Sequence, residues 1–396
     1  MALLGVAVVL TFYALLMYVD FFRQVFPGQN VEYTFSTVYK VANFATGLIV
    51  VCIGSSIPYP AKIVPALILQ AASLASFVFL TSVDAVAIAC GVAGTAHAFS
   101  HGSIAGLCGA LPERYMQSFV VGIGVSGLVA SISKMLTKMA FADHRTAAYV
   151  WTAELLSFYL FTLCLYVCQV DTHPDVVRVK TKGRDGSTAD DQPLIISTHT
   201  RIAPLEDEKP ASALMAPLVT LARVWPWLMV MVANWLITFL IFPGIASELE
   251  SSVRFFQSSG WFHVLLFWDF LLFDVLGRYL PKLPGFRGIS LANLCLLTVA
   301  RSVFFPAFLL IRAYDGNHWG FDAGAFSCML LMALTHGYPV AVCAVEPLAH
   351  VPSHQKEMAG AFTFLAYVGG QSLGLSLALT LKSHSVIFWQ PTSPFV

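Results

Sequence analysis

Hydrophobic residues are grouped along this chain in runs of roughly 18 to 25, separated by short polar breaks, from one end to the other. A helix of that length crosses the hydrocarbon core of a bilayer. The runs are apolar all round, whereas barrel strands would be shorter and alternating. Eleven spans are predicted, at 2–22, 34–56, 62–81, 84–109, 114–137, 146–170, 219–243, 261–280, 289–312, 322–346 and 358–381. Turn and helix-stop residues occupy several breaks: Pro27-Gly28, Pro58-Tyr59-Pro60, Leu111-Pro112-Glu113, Pro243-Gly244 and Pro281 through Gly285.

Residues 171–218 break the pattern, with a polar, mixed-sign composition and no apolar periodicity. They read as a flexible linker in water. Six spans precede it and five follow. The expected organisation is a six-helix bundle over 1–170, a flexible cytoplasmic loop over 171–218 and a five-helix bundle over 219–396. Two halves joined by a long central loop are common among secondary transporters.

Composition strengthens the class assignment. Hydrophobic residues make up 57% and charged residues 11%, with a mean hydropathy of +0.74. A soluble domain carries about 25% charged residues, so a water-soluble enzyme would lack polar surface to cover its core. The fold class is all-α, a polytopic helical membrane protein in contact with the lipid bilayer. Formal net charge is zero, which gives no reason to expect a nucleic-acid partner. Cysteines such as Cys52, Cys90, Cys164, Cys295 and Cys328 sit singly in apolar runs, so neither a metal site nor a disulfide framework is expected. No HExxH, GxSxG, P-loop or paired CxxC is present, and no enzyme activity or cofactor is expected.

The first segment lacks a basic n-region and a small-residue cleavage site, so it reads as a membrane helix rather than a signal peptide. It starts at residue 1, either flush with the terminus or shortened. With the amino terminus inside, the short cytoplasmic connections hold Lys62, Arg114, Arg278, Lys282, Arg287 and Lys356. The other side holds Lys138, Arg145, Arg254 and Arg312, with Lys134 close by. This bias favours a cytoplasmic amino terminus and an extracellular carboxyl terminus.

Charge inside the spans is the main functional signal. The stretch FWDFLLFDVLGRYLP, residues 267–281, sets Asp269, Asp274 and Arg278 among aromatic and aliphatic residues. Asp274 and Arg278 are four apart, on one helical face, in the order that suits the helix dipole. A charge at the bilayer centre costs on the order of 2.5–3.5 kcal/mol on insertion scales. Arg278 is expected to snorkel toward the cytoplasmic end. Asp274 is deeper, and either lines a wet path for a polar solute or forms a purely structural ion pair. Asp269 lies on another face, as a second path residue or a titrating carboxylate. Arg301 sits about twelve residues into span nine, where a buried partner is expected, and Pro306 bends that helix. His101 and His336 can donate to a heterocyclic solute, titrate during coupling, or simply pack. Gly102 and Gly106, and Gly122 with Gly124 and Gly127, allow close helix approach.

Four segments, in order along the chain, then carry a family resemblance. FDVLGRYLP at 273–281 resembles the span-eight signature of equilibrative nucleoside transporters, and HGSIAGLCGALPERYMQSFVVGIGVSG at 101–127 resembles their span-four to span-five junction. RSVFFPAFLL is similar to their span nine, and ALTHGYPVAV at 333–342 to their span ten. YVDFFRQVFPG also resembles the first-loop entry of the plant-like branch. The similarity covers most of the chain outside 171–218.

The resemblance implies an eleven-helix, major-facilitator-like 6 + 5 arrangement. It implies transport of nucleosides, with nucleobases as a further class, by alternating access, either facilitative or proton-coupled. By that likeness Asp274 and Arg278 line or brace the central cavity, Arg301 is the span-nine basic position, and Gln117 and Gly122 lie in the span-five region. Where the family has tryptophan-asparagine in span one this chain has Phe12 and Tyr13; His101 and His336 stand where glutamine and asparagine are usual. Phe12, Tyr13 and Phe273 are expected to stack on a base, and His101, Asp274 and Arg278 to bond base edge and ribose. A monomer in the plasma membrane is expected. The competing expectations are a non-transporting receptor or scaffold that kept the fold, and a carrier of another polar solute.

Overall fold

The computed structural model describes residues 1–27, 31–53, 57–141, 143–185, 216–242, 244–249, 251–259, 261–313 and 319–383, and every regular element among them is helical. Before the central segment lie α1 (Ala2–Met17), α2 (Val31–Ile53), α3 (Tyr59–Ser76), α4 (Val83–Ala110), α5 (Glu113–Ala140) and α6 (His144–Leu165). After it lie α7 (Ala216–Ile241), α8 (Trp261–Tyr279), α9, α10 (Trp319–Ala349) and α11 (Lys356–Ser383). Helix α9 is broken: Leu291–Ala300 and Phe304–Ala313 are joined by a 3-10 turn, Arg301–Val303. Among the described residues, eight helices are long and apolar enough to cross a membrane. The shorter α1, the 18-residue α3 and the charge-bearing α8 complete the positions at which spans were predicted.

Caps explain several sharp boundaries. Asp143 accepts hydrogen bonds from the backbone N–H groups of Arg145 and Thr146, at 3.4 and 2.8 Å, and so opens α6. Ser290 accepts from the N–H of Asn293 at 3.2 Å and opens α9. Helix α3 begins behind Pro58 with Pro60 in its first turn, where a missing N–H costs nothing.

Residues 174–185, inside the stretch expected to be a linker, form a helix, Pro174–Asp185. It is held at the base of the first six helices. Val176 is buried against Leu107 and Leu111, with Val179 packed beside them. The Asp175 carboxylate accepts from the Tyr115 hydroxyl at 2.7 Å and lies near Arg114 and Arg178. The apolar contacts are too few to register as periodicity in a polar sequence. Of the rest of the expected loop, 186–215 lie outside the described residues, and 216–218 already form the first turn of α7.

Helix α1 packs on α5, α2 on α4, and α3 on α4; after the central segment α7 packs on α11 and α8 on α10. The two sets meet where α11 lies against α2 and α4, and where α5 lies against α8 and α10. Small residues make two of these contacts possible. A Cβ on Gly337 would sit 2.1 Å from the Asp274 carbonyl oxygen, and one on Gly277 would sit 2.4 Å from that of Leu334. Helices α8 and α10 therefore touch backbone to backbone beside the charged residues of α8. Gly109 and Gly360 do the same between α4 and α11.

Because backbone has to move to admit a side chain there, Gly337→Val is expected to cost at least about 1–3 kcal/mol. The readout is the thermal unfolding midpoint in detergent, which should fall by several degrees. An unchanged midpoint would contradict the α8–α10 contact.

Candidate functional site

Asp274 and Arg278 lie one helical turn apart on the buried face of α8, with side chains 1% and 0% exposed. The Arg278 Nε donates to Asp274 Oδ2 at 2.9 Å, and Nη2 lies 2.9 Å from the same oxygen. Arg278 does not snorkel. Its Nη1 instead donates to the Val120 carbonyl of α5 at 3.1 Å, so the guanidinium joins the two helix sets. That carbonyl is an acceptor that water would otherwise provide, which is why the stem turns inward. Gly124 makes room for it, since a Cβ there would lie 2.9 Å from the Arg278 Cδ. Asp274 Oδ1 accepts no hydrogen bond.

A second buried cation orders the neighbouring groups. Arg301, 1% exposed in the α9 break, meets only neutral oxygens. Its Nη1 donates to the Asn234 backbone carbonyl at 3.1 Å and to the Asn234 side-chain oxygen. Its Nη2 donates to the Thr238 hydroxyl at 2.8 Å and the Met332 carbonyl at 3.3 Å. A guanidinium can only donate, so Asn234 has to turn its oxygen toward Arg301 and its NH₂ toward His336. That NH₂ lies 2.9 Å from His336 Nδ1, which therefore accepts. In the neutral ring the proton is then on Nε2. Nε2 has no hydrogen-bond partner and lies 3.9 Å from Asp274 Oδ1. A buried donor and a buried acceptor thus face each other across a gap too wide for a direct hydrogen bond.

His101 contributes from the other helix set. Its Nδ1 is 3.1 Å from His97 Nε2, and His97 Nδ1 is 3.0 Å from the Tyr39 hydroxyl. The ring packs against Phe119, Phe364 and Tyr367. His101, Arg278, Phe119, Val120, Phe364 and Tyr367 help to line a 20 Å³ cavity between the sets. That is room for about one water molecule, against roughly 300 Å³ or more for a small-molecule pocket. The interface is therefore closed around the charged pair.

The remaining predicted residues are dispersed. Phe12 is buried beneath the Lys40 ammonium, 3.5 Å from its ring centroid, and stacks on Phe239. Tyr13 packs beside Gly127. Both residues are buried, and neither lines the cavity that holds His101 and Arg278. Phe273 is half-buried and makes no ring contact among the described residues. Gln117 is half-buried, whereas its neighbours Met116, Phe119 and Val120 line the cavity. Asp269 is half-buried on another face of α8, and its Oδ2 accepts no hydrogen bond. Pro306 is exposed on the outside of α9 rather than at a cavity. It lacks the N–H that would bond the Ser302 carbonyl, which fits a 3-10 turn ending at Val303. Gly102 and Gly106 approach Phe364 and Glu357 of α11, and Gly122 approaches the Ala2 backbone of α1.

Sequence reasoning missed Lys40, His97, Asn234 and Gln371. Lys40 and Asn234 are polar residues inside apolar runs, and His97 is four residues before His101, so each carried a readable signal. Gln371 is likewise a polar residue inside an apolar run, but its pairing with Lys40 is not legible because the two are distant in sequence.

Known proteins share both the sequence pattern and the fold. A family model described as nucleoside transporter matches residues 87–383. The equilibrative nucleoside transporter 4 of Homo sapiens is 26% identical, over 97% of this chain and 83% of its own length. The equilibrative nucleotide transporter 1 of Arabidopsis thaliana is 24% identical, over 98% and 84%. Among solved structures, the major facilitator superfamily proton:xylose symporter XylE bound to 6-bromo-6-deoxy-D-glucose superposes with a TM-score of 0.63. It is 12% identical over 97% of this chain and 88% of that one.

Arg301→Lys keeps the charge but cannot reach the same set of acceptors. It is expected to destabilise the protein by about 1–3 kcal/mol, because buried carbonyls lose their donors. Thermal unfolding in detergent reads this, and a midpoint equal to the parent's would contradict the bracing role.

Proposed function

The chain belongs to the nucleoside transporter family, and we propose on that basis that it carries nucleosides, with nucleobases as a further class, across a membrane by alternating access. The bundles over 1–170 and 219–396 rock against each other about the interface formed by α2, α4 and α5 with α8, α10 and α11. The observation that supports this most is the unpaired couple between α8 and α10, beside that interface. Asp274 Oδ1 can accept, and His336 Nε2–H can donate. A sugar hydroxyl both donates and accepts, so one hydroxyl between them would satisfy two buried groups that no protein atom pairs.

The closed cavity describes one state of such a cycle. For cargo to leave toward the α5–α8 side, the Arg278 contact to the Val120 carbonyl has to part. The guanidinium keeps Asp274 when it does, so the charge is never left alone. Binding remains modest because the cargo has to leave again. The lysine and arginine distribution supports a cytoplasmic amino terminus and an extracellular carboxyl terminus. The plasma membrane as the site of action and a monomer as the working unit are part of the proposal. The Tyr39–His97–His101 hydrogen-bond chain lies beside the path, and the proposal covers facilitative and proton-coupled transport alike.

Uptake of labelled adenosine and uridine into vesicles containing the purified protein tests the reading. Uptake above empty vesicles that saturates with cargo is expected, and an imposed proton gradient separates coupled from facilitative transport. Folded protein with no uptake above background would reject the function. In the same assay Asp274→Ala should reduce uptake at least tenfold, while Asp269→Ala stays within about threefold of the parent, since tenfold corresponds to about 1.4 kcal/mol. Equal uptake by the Asp274 variant and the parent would remove that carboxylate from the path.

A further inference from the structure

Lys40 is the buried group that the mechanism above does not use. It lies ten residues into α2, roughly 14 Å along the helix from its start and so near the middle of the span. Its side chain is fully buried at the interface between the helix sets. The ammonium donates to Gln371 Oε1 of α11 at 2.6 Å. It lies 3.5 Å from the Phe12 ring centroid and 5.7 Å from that of Phe239. The Ser372 hydroxyl donates to the Lys40 carbonyl at 3.0 Å, which fixes this part of α2 against α11. Among the described residues no carboxylate pairs with the ammonium, so three donors meet one neutral oxygen and aromatic faces.

Two physical points follow. A buried ammonium without a counter-charge is costly, and aromatic faces offset only part of that cost. The single oxygen it does have belongs to the opposite helix set, so any separation of the sets at this point withdraws it. An opened interface would then present a bare cation to whatever enters. The neighbouring charges do not neutralise it: the one carboxylate of the Asp274–Arg278 couple is already committed to its own guanidinium, and Arg301 meets only neutral oxygens. Among Lys40, Arg278, Arg301 and Asp274, positive charge is thus in excess. Gln371 lies one helical turn beyond Tyr367, which lines the same small cavity as Arg278 and His101. Lys40 and the Asp274–His336 couple are therefore stations along one interface.

We propose that Lys40, released from Gln371, is a subsite for an anionic oxygen group on the cargo, and that the cargo class includes nucleoside 5′-monophosphates. The inference rests on the reading of this interface as a nucleoside path. The sugar hydroxyl meets Asp274 and His336, while the phosphate supplies the counter-charge that Lys40 lacks. Organic cations are disfavoured by the same excess of positive charge.

The test uses the full chain in vesicles, with labelled uridine and labelled uridine 5′-monophosphate as probes, for the parent, Lys40→Gln and Lys40→Arg. The parent is expected to take up both, with each competing against the other. The ratio of monophosphate to uridine uptake should fall at least tenfold in Lys40→Gln and be kept in Lys40→Arg. Uridine uptake by the parent that the monophosphate neither shares nor inhibits at millimolar concentration would overturn the subsite and leave the nucleoside reading standing. An unchanged ratio in Lys40→Gln would overturn it equally. Absence of uptake of either probe by folded parent protein would overturn both. Should Lys40→Gln fail to fold, the competition measured on the parent still decides.

Discussion

Where water is excluded, every charge has to find its partners inside the protein, and Arg278 shows how this chain meets that constraint. Its guanidinium bonds one oxygen of a carboxylate on its own helix and a backbone carbonyl on α5, so a single side chain gives a buried acid its counter-charge and couples the two helix sets. Glycines surround it for the same reason. Gly124 clears the space for its stem, and Gly277 with Gly337 brings α10 against the turn of α8 that carries the pair. Removing one member of such a pair leaves the other uncompensated, at a cost of about 3–5 kcal/mol. The pair is therefore both a structural device and a contact that movement has to break.

Arg301 meets the same constraint in another way. Among the described residues it hydrogen-bonds no acid, and it uses neutral oxygens from α7 and α10 instead. Its effect extends beyond its own contacts, because its need for acceptors sets the orientation of Asn234 and through it the tautomer of His336. The proton that faces Asp274 is placed there by a cation on a third helix. Substitutions of Arg301 or Asn234 are thus expected to alter the Asp274–His336 couple without touching cargo.

Much of this could be read in the sequence, and the parts that could not share a physical cause. The Asp274–Arg278 pair was legible because helical spacing fixes an i, i+4 contact whatever the tertiary fold. Arg301 was legible as a cation too deep to snorkel, though its neutral partners were not. Arg278 was misjudged: its place near a helix end suggested solvent, and only the packing of α5 against α8 shows a closer acceptor. Lys40 with Gln371, and Asn234 with His336, are pairs between residues far apart in the chain, and no local period encodes them. The helix at 174–185 escaped notice because two valines on a polar background suffice to dock it once Leu107 and Leu111 are in place.

All of the functional account requires that the closed interface around Asp274 and Arg278 becomes wet during the cycle. Ala344 of α10 lines the small cavity there and is 3% exposed. Labelling of an Ala344→Cys variant by a membrane-impermeant thiol reagent, read at that residue by mass spectrometry in transport-active vesicles, measures access directly. Labelling at a rate that saturating uridine changes several-fold is the expected result. A thiol at residue 344 that stays unlabelled with and without cargo, while the same vesicles still transport, would show that the passage lies elsewhere.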